Sequence, residues 1–213
     1  MKIAAPQLLK VLTDSRLEVF EEDGLLEDAR LFDISADSFV TAGADMRGVV
    51  IEKCTLHALQ LSRLTARDLQ VQKSDMSAGS LAGAGINRSQ FINSRMSGVD
   101  FSQSRLHDVT FRSCKLDVAN FRFSDLRRVE FIDCQLNEAD FLNATLADVR
   151  FESCTLDRTV FDQTKCKKVD LRTSDITAIS GWQSLKGVTI DSVQLTMIAP
   201  VLAAVIGLDV RND

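Results

Sequence analysis

One feature constrains the fold of this chain more than any other: an apolar residue recurs at every fifth position over most of its length. Between positions 46 and 176, twenty-five of the twenty-seven residues whose numbers end in 1 or 6 are Leu, Ile, Val, Met or Phe. The two exceptions are Ala66 and Cys166. An α-helix returns to the same face after 3.6 residues and a β-strand after 2, so a period of five fits neither element. The five-residue unit is therefore a structural repeat in its own right.

Each unit also carries a small or medium-sized side chain two positions before the bulky one. Ala44, Cys54, Val109, Ala119 and Ala139 are examples of this position. Polar and charged residues concentrate in the other three places, which indicates two inward and three outward positions per unit. One unit cannot bury its apolar pair alone, so the pattern predicts a stack in which each unit covers the next.

Two longer periods predict the number of units in one coil. Phe recurs every ten residues from 91 to 161, with Leu or Met between, as expected if Phe lies on two opposite faces of a four-sided coil. Four of the five cysteines are separated by multiples of twenty, and serine fills gaps in the same column. A coil of twenty residues satisfies both periods. The predicted structural core is Phe91, Phe101, Phe111, Phe121, Phe131, Phe141, Phe151, Phe161, Leu106, Leu116, Leu126, Leu136, Leu146 and Leu156.

The stretch ANFRFSDLRRVEFIDCQLNEADFLNATL, residues 119–146, resembles the A(D/N)LXX signature of pentapeptide-repeat proteins. The likeness extends at least from Ala44 to Ile179. It implies an all-β solenoid, a right-handed quadrilateral β-helix, which we expect over residues 29–180. No insertion interrupts the repeat between positions 46 and 176, so the chain resembles the loopless members among the relatives of Qnr-type quinolone-resistance proteins.

The ends of a solenoid expose open backbone edges, so we expect a cap at each end. Residues 1–28 are the expected N-terminal cap. Pro6 stands at a favourable first helical position before an apolar patch, which predicts a short helix, and residues 16–23 alternate like a strand.

Residues 181–213 are the expected C-terminal module. Asp191 is a suitable helix cap, Gly207 a suitable helix end, and Pro200 predicts a kink between them. The helix is apolar on more than one face, which is typical of an interface, and Qnr relatives are expected to dimerise through such a segment. The residues expected to join two copies are Leu195, Met197, Ile198, Val201, Leu202, Val205 and Ile206.

Composition and chemistry favour a cytoplasmic protein without catalysis. The N-terminal sequence lacks a signal-peptide pattern, and five cysteines outside a secretory context are expected to be free thiols. His57, Ser77 and Asp75 are the nearest approach to a catalytic triad, but a flat rod offers no cleft around them. The cysteine column is interpreted as packing and not as a metal site. No catalytic, metal or cofactor site is therefore predicted.

The predicted function is binding of another protein. The resemblance to Qnr-type proteins implies DNA gyrase or topoisomerase IV as the partner, through mimicry of a DNA duplex. Residues 44–179 contain eighteen acids and nineteen bases, so the rod as a whole is not a polyanion. The acidic side chains proposed to face such a partner are Asp75, Asp117, Glu138, Asp157 and Asp175.

Two alternatives remain open: a scaffold for another cytoplasmic partner, and nucleic-acid binding through a basic face. The acidic net charge of −5 and the lack of interleaved aromatic residues place direct nucleic-acid binding behind a protein partner. The basic face comprises Arg47, Arg67, Arg88, Arg105, Arg127, Arg128, Lys165, Lys167 and Lys168.

Overall fold

A computed structural model describes residues 2–19 and 24–211 of the chain. The chain winds into a parallel β-solenoid of about eight coils, followed by a C-terminal α-helix. The predicted all-β solenoid is confirmed. Each strand pairs in parallel with the equivalent strand of the next coil.

The strands are short in the first coils and longer in the later ones, where one strand runs across two faces. The short strands are β1 (Thr13–Asp14), β2 (Leu25–Glu27), β3 (Ala29–Phe32), β4 (Ser35–Asp37), β5 (Val40–Ala42), β6 (Asp45–Arg47), β7 (Val50–Glu52), β8 (Thr55–His57), β9 (Gln60–Ser62), β10 (Thr65–Arg67) and β11 (Gln70–Gln72). The longer strands are β12 (Gly85–Ile92), β13 (Arg105–Arg112), β14 (Asp125–Ile132), β15 (Thr145–Glu152) and β16 (Lys165–Asp170). A 3₁₀ turn at Trp182–Ser184 and helix α1 (Ser192–Val205) follow.

The backbone pairing repeats every twenty residues. Leu126 lies opposite Leu106 on one side and Leu146 on the other, and the strand pairs from β2 onward keep the same offset. In the β1–β3 pair, Thr13 instead lies opposite Ala29. We number the four faces by their central residues in an early coil: face 1 (Met46), face 2 (Ile51), face 3 (Leu56) and face 4 (Leu61). Equivalent positions follow every twenty residues along the chain.

Aromatic stacking fills two opposite sides of the interior. On face 2, the rings of Phe91 and Phe111 stack with centroids 4.8 Å apart, and on face 4 Phe101 and Phe121 stack at 5.1 Å. The two columns meet edge to face across the core, as between Phe91 and Phe101 at 6.4 Å. Edge-to-face and offset-stacked pairs are the favoured arrangements of aromatic rings. All fourteen residues expected in the core are buried.

The cysteine and serine column forms an internal hydrogen-bond ladder. The Cys134 thiol donates to the carbonyl oxygens of Ile132 and Phe111, and the Ser74 hydroxyl donates to that of Gln72. Both residue types are small and can donate a hydrogen bond, so they are interchangeable in this column. Burial raises the pKa of the Cys54 thiol, as expected for a packing residue.

The corners between faces are left-handed turns. From Asp28 to Thr173, residues whose numbers end in 3 or 8 have positive φ angles, as at Asp68 (59°) and Asp133 (53°). Gly, Asn and Asp tolerate this region best. The large apolar residues Val118 and Phe123 also take this conformation, with φ angles of 59° and 60°, and are about three-fifths exposed.

The prediction of a short helix beginning near Pro6 is wrong. Residues 2–12 form no helix and instead run along the outside of the rod. The amide of Gln7 donates to Asp68, and Thr13 pairs with Ala29 in the first strand of the ladder. The backbone of this segment is therefore hydrogen-bonded to the rod, whereas in a helix it would be hydrogen-bonded within the segment. The strand expected over residues 16–23 falls partly on residues 20–23, which lie outside the described residues.

Helix α1 caps the last coil as expected. The Asp191 carboxylate accepts the amide of Gln194 in a capping box, and the Gln194 side chain donates to the carbonyl oxygens of Leu171 and Ser174. Those two carbonyls belong to the last coil and would otherwise lack a partner in a following coil. Ile198, one turn along the helix, is fully buried against the core.

Gly181 ends the phenylalanine column on face 4. It takes a φ of 82°, and a Cβ atom built there would lie 2.5 Å from the backbone nitrogen of Asp162. Only glycine fits so close an approach with this backbone conformation. The chain then leaves the repeat.

We predict that Phe131→Ala destabilises the protein by about 3–5 kcal/mol, because it leaves a cavity between four neighbouring rings. The control Asp133→Asn, at an exposed corner, keeps a residue suited to positive φ and should change stability by less than about 0.5 kcal/mol. Urea unfolding curves measure both. Equal losses in the two variants would contradict the assignment of inward and outward positions.

Candidate interaction surfaces

The five acidic residues expected to bind a partner all lie on face 3 or its border, but several are already engaged. Arg158 contacts both Glu138, at 2.6 Å, and Asp157, at 2.9 Å. Asp117 accepts hydrogen bonds from the backbone and side chain of Asn137. Asp75 and Asp175 each accept the amide of the residue two positions later.

The acidic charge of face 3 is sparse compared with that of DNA. Asp75 and Asp175 are five coils apart, roughly 24 Å at the usual strand spacing. B-DNA would carry on the order of fourteen phosphate charges over that length. Face 3 offers five carboxylates, two of which share one arginine. The face therefore presents isolated acidic groups and not a continuous anionic stripe.

The basic face is largely neutralised by carboxylates. Six of its nine basic side chains lie within 4.0 Å of an Asp carboxylate. Arg47 pairs with Asp45 and Arg127 with Asp125 on the same strand. Surface pairs of this kind contribute little stability, but they reduce the positive potential that would attract nucleic acid.

The corner between faces 1 and 2 carries acids and bases that alternate from Asp68 to Lys168, a pattern that grouping residues by face does not reveal. We call this series the corner column: Asp28, Gly48, Asp68, Arg88, Asp108, Arg128, Asp148 and Lys168. Arg88 forms two hydrogen bonds to Asp68, and Arg128 forms two to Asp108, each across one coil. The signal in the sequence was the recurrence of Asp every forty residues.

The corner column holds two of its carboxylates in nearly buried positions. Asp68 and Asp108 are 8% and 7% exposed. The hydrogen bonds from Arg128, followed by the backbone contact from Ala4 and nearby positive charges, hold the pKa of Asp108 below its ordinary value of 3.8 against the opposing effect of burial. Asp108 thus stays ionised beside its arginine.

A cleft of about 770 Å³ lies at the end of this column. Lys2, Arg128, Asp148 and Lys168 contribute to its walls, together with residues at the base of the C-terminal module. Lys168 lies 3.4 Å from Asp148. The cleft is open to solvent and sits where the N-terminal segment meets the corner column.

The three residues closest to a catalytic triad do not assemble into one. His57 Nδ1 lies 3.7 Å from Asp75 Oδ1. In the described part of the chain, the Ser77 hydroxyl is buried and has no hydrogen-bond partner, while its amide donates to Asp75. A nucleophile needs a hydrogen bond to its base, and this arrangement lacks it.

The exposed side of helix α1 is a second candidate surface. Leu195, Met197 and Ile206 are 49%, 59% and 70% exposed, and Val201 and Val205 are each 37% exposed. Ile198 and Leu202 were grouped with these residues from the sequence. Ile198 is fully buried and Leu202 packs partly against the core, so these two hold the helix to its own rod.

Comparison with known families agrees with the geometry. A family model described as "Pentapeptide repeat region" matches residues 72–141 and 104–180, which together make up half of the chain. The chain belongs to the pentapeptide-repeat family. Its coil of four five-residue faces, filled by one bulky and one small residue per face, is what the repeat encodes.

Several solved structures of pentapeptide-repeat proteins match this chain at low identity. Trypsin-treated QnrB1, described as a plasmid-mediated fluoroquinolone resistance protein, is 20% identical, with 88% of this chain and 92% of that chain covered and a TM-score of 0.46. HetL, described as involved in heterocyst differentiation regulation, from Nostoc sp. strain PCC 7120, is 15% identical, with coverages of 79% and 90% and a TM-score of 0.37. No curated protein matches the sequence.

The α-helices of the described residues include none that is long and apolar enough to span a membrane.

We predict that Asp108→Asn destabilises the pentapeptide-repeat rod at neutral pH and that the loss disappears in acid. Because the folded-state pKa of Asp108 is lowered, its ionised form stabilises the protein above pH 3.8, and this contribution is lost as the pH falls through the lowered pKa. Urea unfolding at pH 7 and at successively lower pH measures the difference from wild type. Asp133→Asn serves as control. A loss that is independent of pH would contradict the ion pair as its cause.

Proposed function

We propose that this pentapeptide-repeat protein acts without catalysis, by presenting the outside of a rigid rod to a protein partner. The observation that supports this most is the filled interior: bulky residues occupy the core from coil to coil, so recognition must use the outward side chains. Repeat solenoids commonly bind partners through such extended surfaces.

The specific partner we propose is a type II topoisomerase, DNA gyrase or topoisomerase IV, in the cytoplasm. Support comes from the resemblance of the repeat to Qnr-type proteins. Face 3 is the surface proposed for the contact, with Asp117, Glu138 and Asp157 near its middle. Because the carboxylates of face 3 are sparse, we propose that this face imitates single phosphate groups of DNA bound by the partner, and not the full charge of a duplex.

We predict that the purified protein at micromolar concentration changes supercoiling by gyrase from its own host, or protects that gyrase from a fluoroquinolone. The variant carrying Asp117→Asn, Glu138→Gln and Asp157→Asn should lose most of the effect, because it removes three carboxylates of face 3. Glu130→Gln with Glu152→Gln and Asp162→Asn removes three carboxylates from faces 2 and 4, so it is the matched control and should keep the effect.

No change in supercoiling or protection with the wild-type protein would contradict a gyrase partner. Binding to DNA that falls steeply with salt and requires Arg127, Arg128 and Lys165 would favour the nucleic-acid alternative instead.

We further propose that the C-terminal module, residues 181–213, joins two copies of the chain. Apolar side chains of helix α1 remain exposed at both ends of the helix, from Leu195 to Ile206. Exposed apolar patches usually mark interfaces, and a two-fold axis allows the same patch to cover itself. The residues proposed for the contact are Leu195, Met197, Val201, Val205 and Ile206.

Light scattering tests this dimer. The intact chain should have twice the monomer mass, and Val201→Asp with Val205→Asp should give the monomer, because two charges would have to be buried in the interface. The control Thr196→Asp changes an exposed polar residue of the same helix and should leave the dimer intact. A monomeric mass for the intact protein at tens of micromolar would rule out the dimer.

A further inference from the structure

The N-terminal segment, residues 2–12, docks along the corner column in an extended form. The Gln7 amide donates to Asp68 at 2.9 Å, and the Ala4 amide lies 3.5 Å from Asp108. Lys2 reaches the cleft beside Arg128 and Asp148. The segment therefore runs lengthwise along the rod, across the coils and not within them.

The spacing of the two amides matches the spacing of the two carboxylates. Asp68 and Asp108 are two coils apart, about 9.6 Å at the usual distance between paired strands. Ala4 and Gln7 are three residues apart, and three extended residues span roughly 9.3–10 Å. A segment with this rise can therefore place every third amide on an Asp of the column.

The side chains that precede these amides are apolar and half-buried. Ile3, before Ala4, lines a hollow of about 240 Å³ on face 2 together with Ile92 and Thr110. Pro6 precedes Gln7 and is also half-buried. Each Asp is paired with an Arg of the next coil, so the column has no net charge at these two positions. Residues 3–9 of the segment are also uncharged, which suits this surface.

The segment is weakly held. No side chain in residues 2–12 is fully buried, and Leu9 and Val11 are 57% and 83% exposed. Segments with few buried contacts open at low free-energy cost. Each Asp carboxylate, by contrast, accepts two hydrogen bonds from an arginine of the rod itself.

We propose that the corner column is a docking track for an extended segment of a partner polypeptide whose central residues are uncharged and include proline, and that the chain's own N-terminal segment is a displaceable occupant of this track. The partner segment would carry apolar residues three positions apart, each followed by a free backbone N–H. The track is separate from face 3 and from helix α1, so this inference does not rest on the topoisomerase or the dimer proposed above.

The experiment uses the full chain with Ala4→Pro and Gln7→Pro, which removes both amide donors and keeps the segment extended. The probe is an acetylated peptide with the wild-type sequence of residues 2–12. We expect this peptide to bind the proline variant with a saturable affinity, measured by fluorescence anisotropy. The same peptide with both prolines should bind at least about tenfold more weakly, because it lacks two hydrogen bonds to charged groups.

Variants of the rod test the carboxylates. Asp68→Gly with Asp108→Gly, in the proline background, removes both carboxylate acceptors and should abolish binding. Glycine suits the positive φ at these corners, as at Gly48, so the rod should keep its fold. Asn93→Gly with Asp133→Gly also places glycine at two positive-φ corner positions two coils apart, but on another corner, and this variant should bind normally.

Amide hydrogen exchange on the otherwise wild-type chain gives the second readout. Exchange at Ala4 and Gln7 should be faster after Asp68→Gly with Asp108→Gly and unchanged in the other glycine pair. Failure of the wild-type peptide to bind, or equal exchange in the two glycine pairs, would overturn the track. A lower assembly mass after Ala4→Pro with Gln7→Pro would show that a second copy's segment occupies it in solution, and would also overturn the proposal.

Discussion

The parallel backbone ladder with an offset of twenty residues is the constraint on which the rest of this structure depends. Because Leu106, Leu126 and Leu146 lie directly over one another, every side-chain type that recurs at that interval becomes a column. The phenylalanine stacks, the cysteine and serine ladder and the alternating charges of the corner column all follow from this one offset. A departure of one residue would turn inward side chains outward.

The repeat could be predicted from the sequence in detail because its period is encoded locally and repeated many times. The N-terminal segment could not. Pro6 and the leucines after it fit a helix start by local propensity, but the carboxylate of Asp68, distant in sequence, offers the Gln7 amide a partner outside the segment. Tertiary hydrogen bonding therefore overrode a weak local preference, as it often does for short segments near a chain end.

The candidate surfaces were likewise predictable only where they depend on residues close together in the sequence. The face of each acidic residue followed from its number, and the exposed side of helix α1 followed from its composition. The basic residues that neutralise these and other carboxylates did not follow from residue numbers. Arg158 contacts Glu138 across one coil, and Arg128 contacts Asp108 in the same way. Ile198 was misassigned for a related reason: an apolar helix does not reveal which of its sides the last coil covers.

The central claim is that the twenty-residue coil, divided into units of five, is the unit of the fold, and duplication of one coil tests it most directly. Inserting a second copy of residues 121–140 after position 140 should give a cooperatively folded protein whose urea m-value is larger, because more surface is buried in the longer rod. Inserting residues 121–139 alone, one residue short, should destabilise the protein strongly by shifting all later side chains out of register. Equal stability of the two insertions would contradict the account.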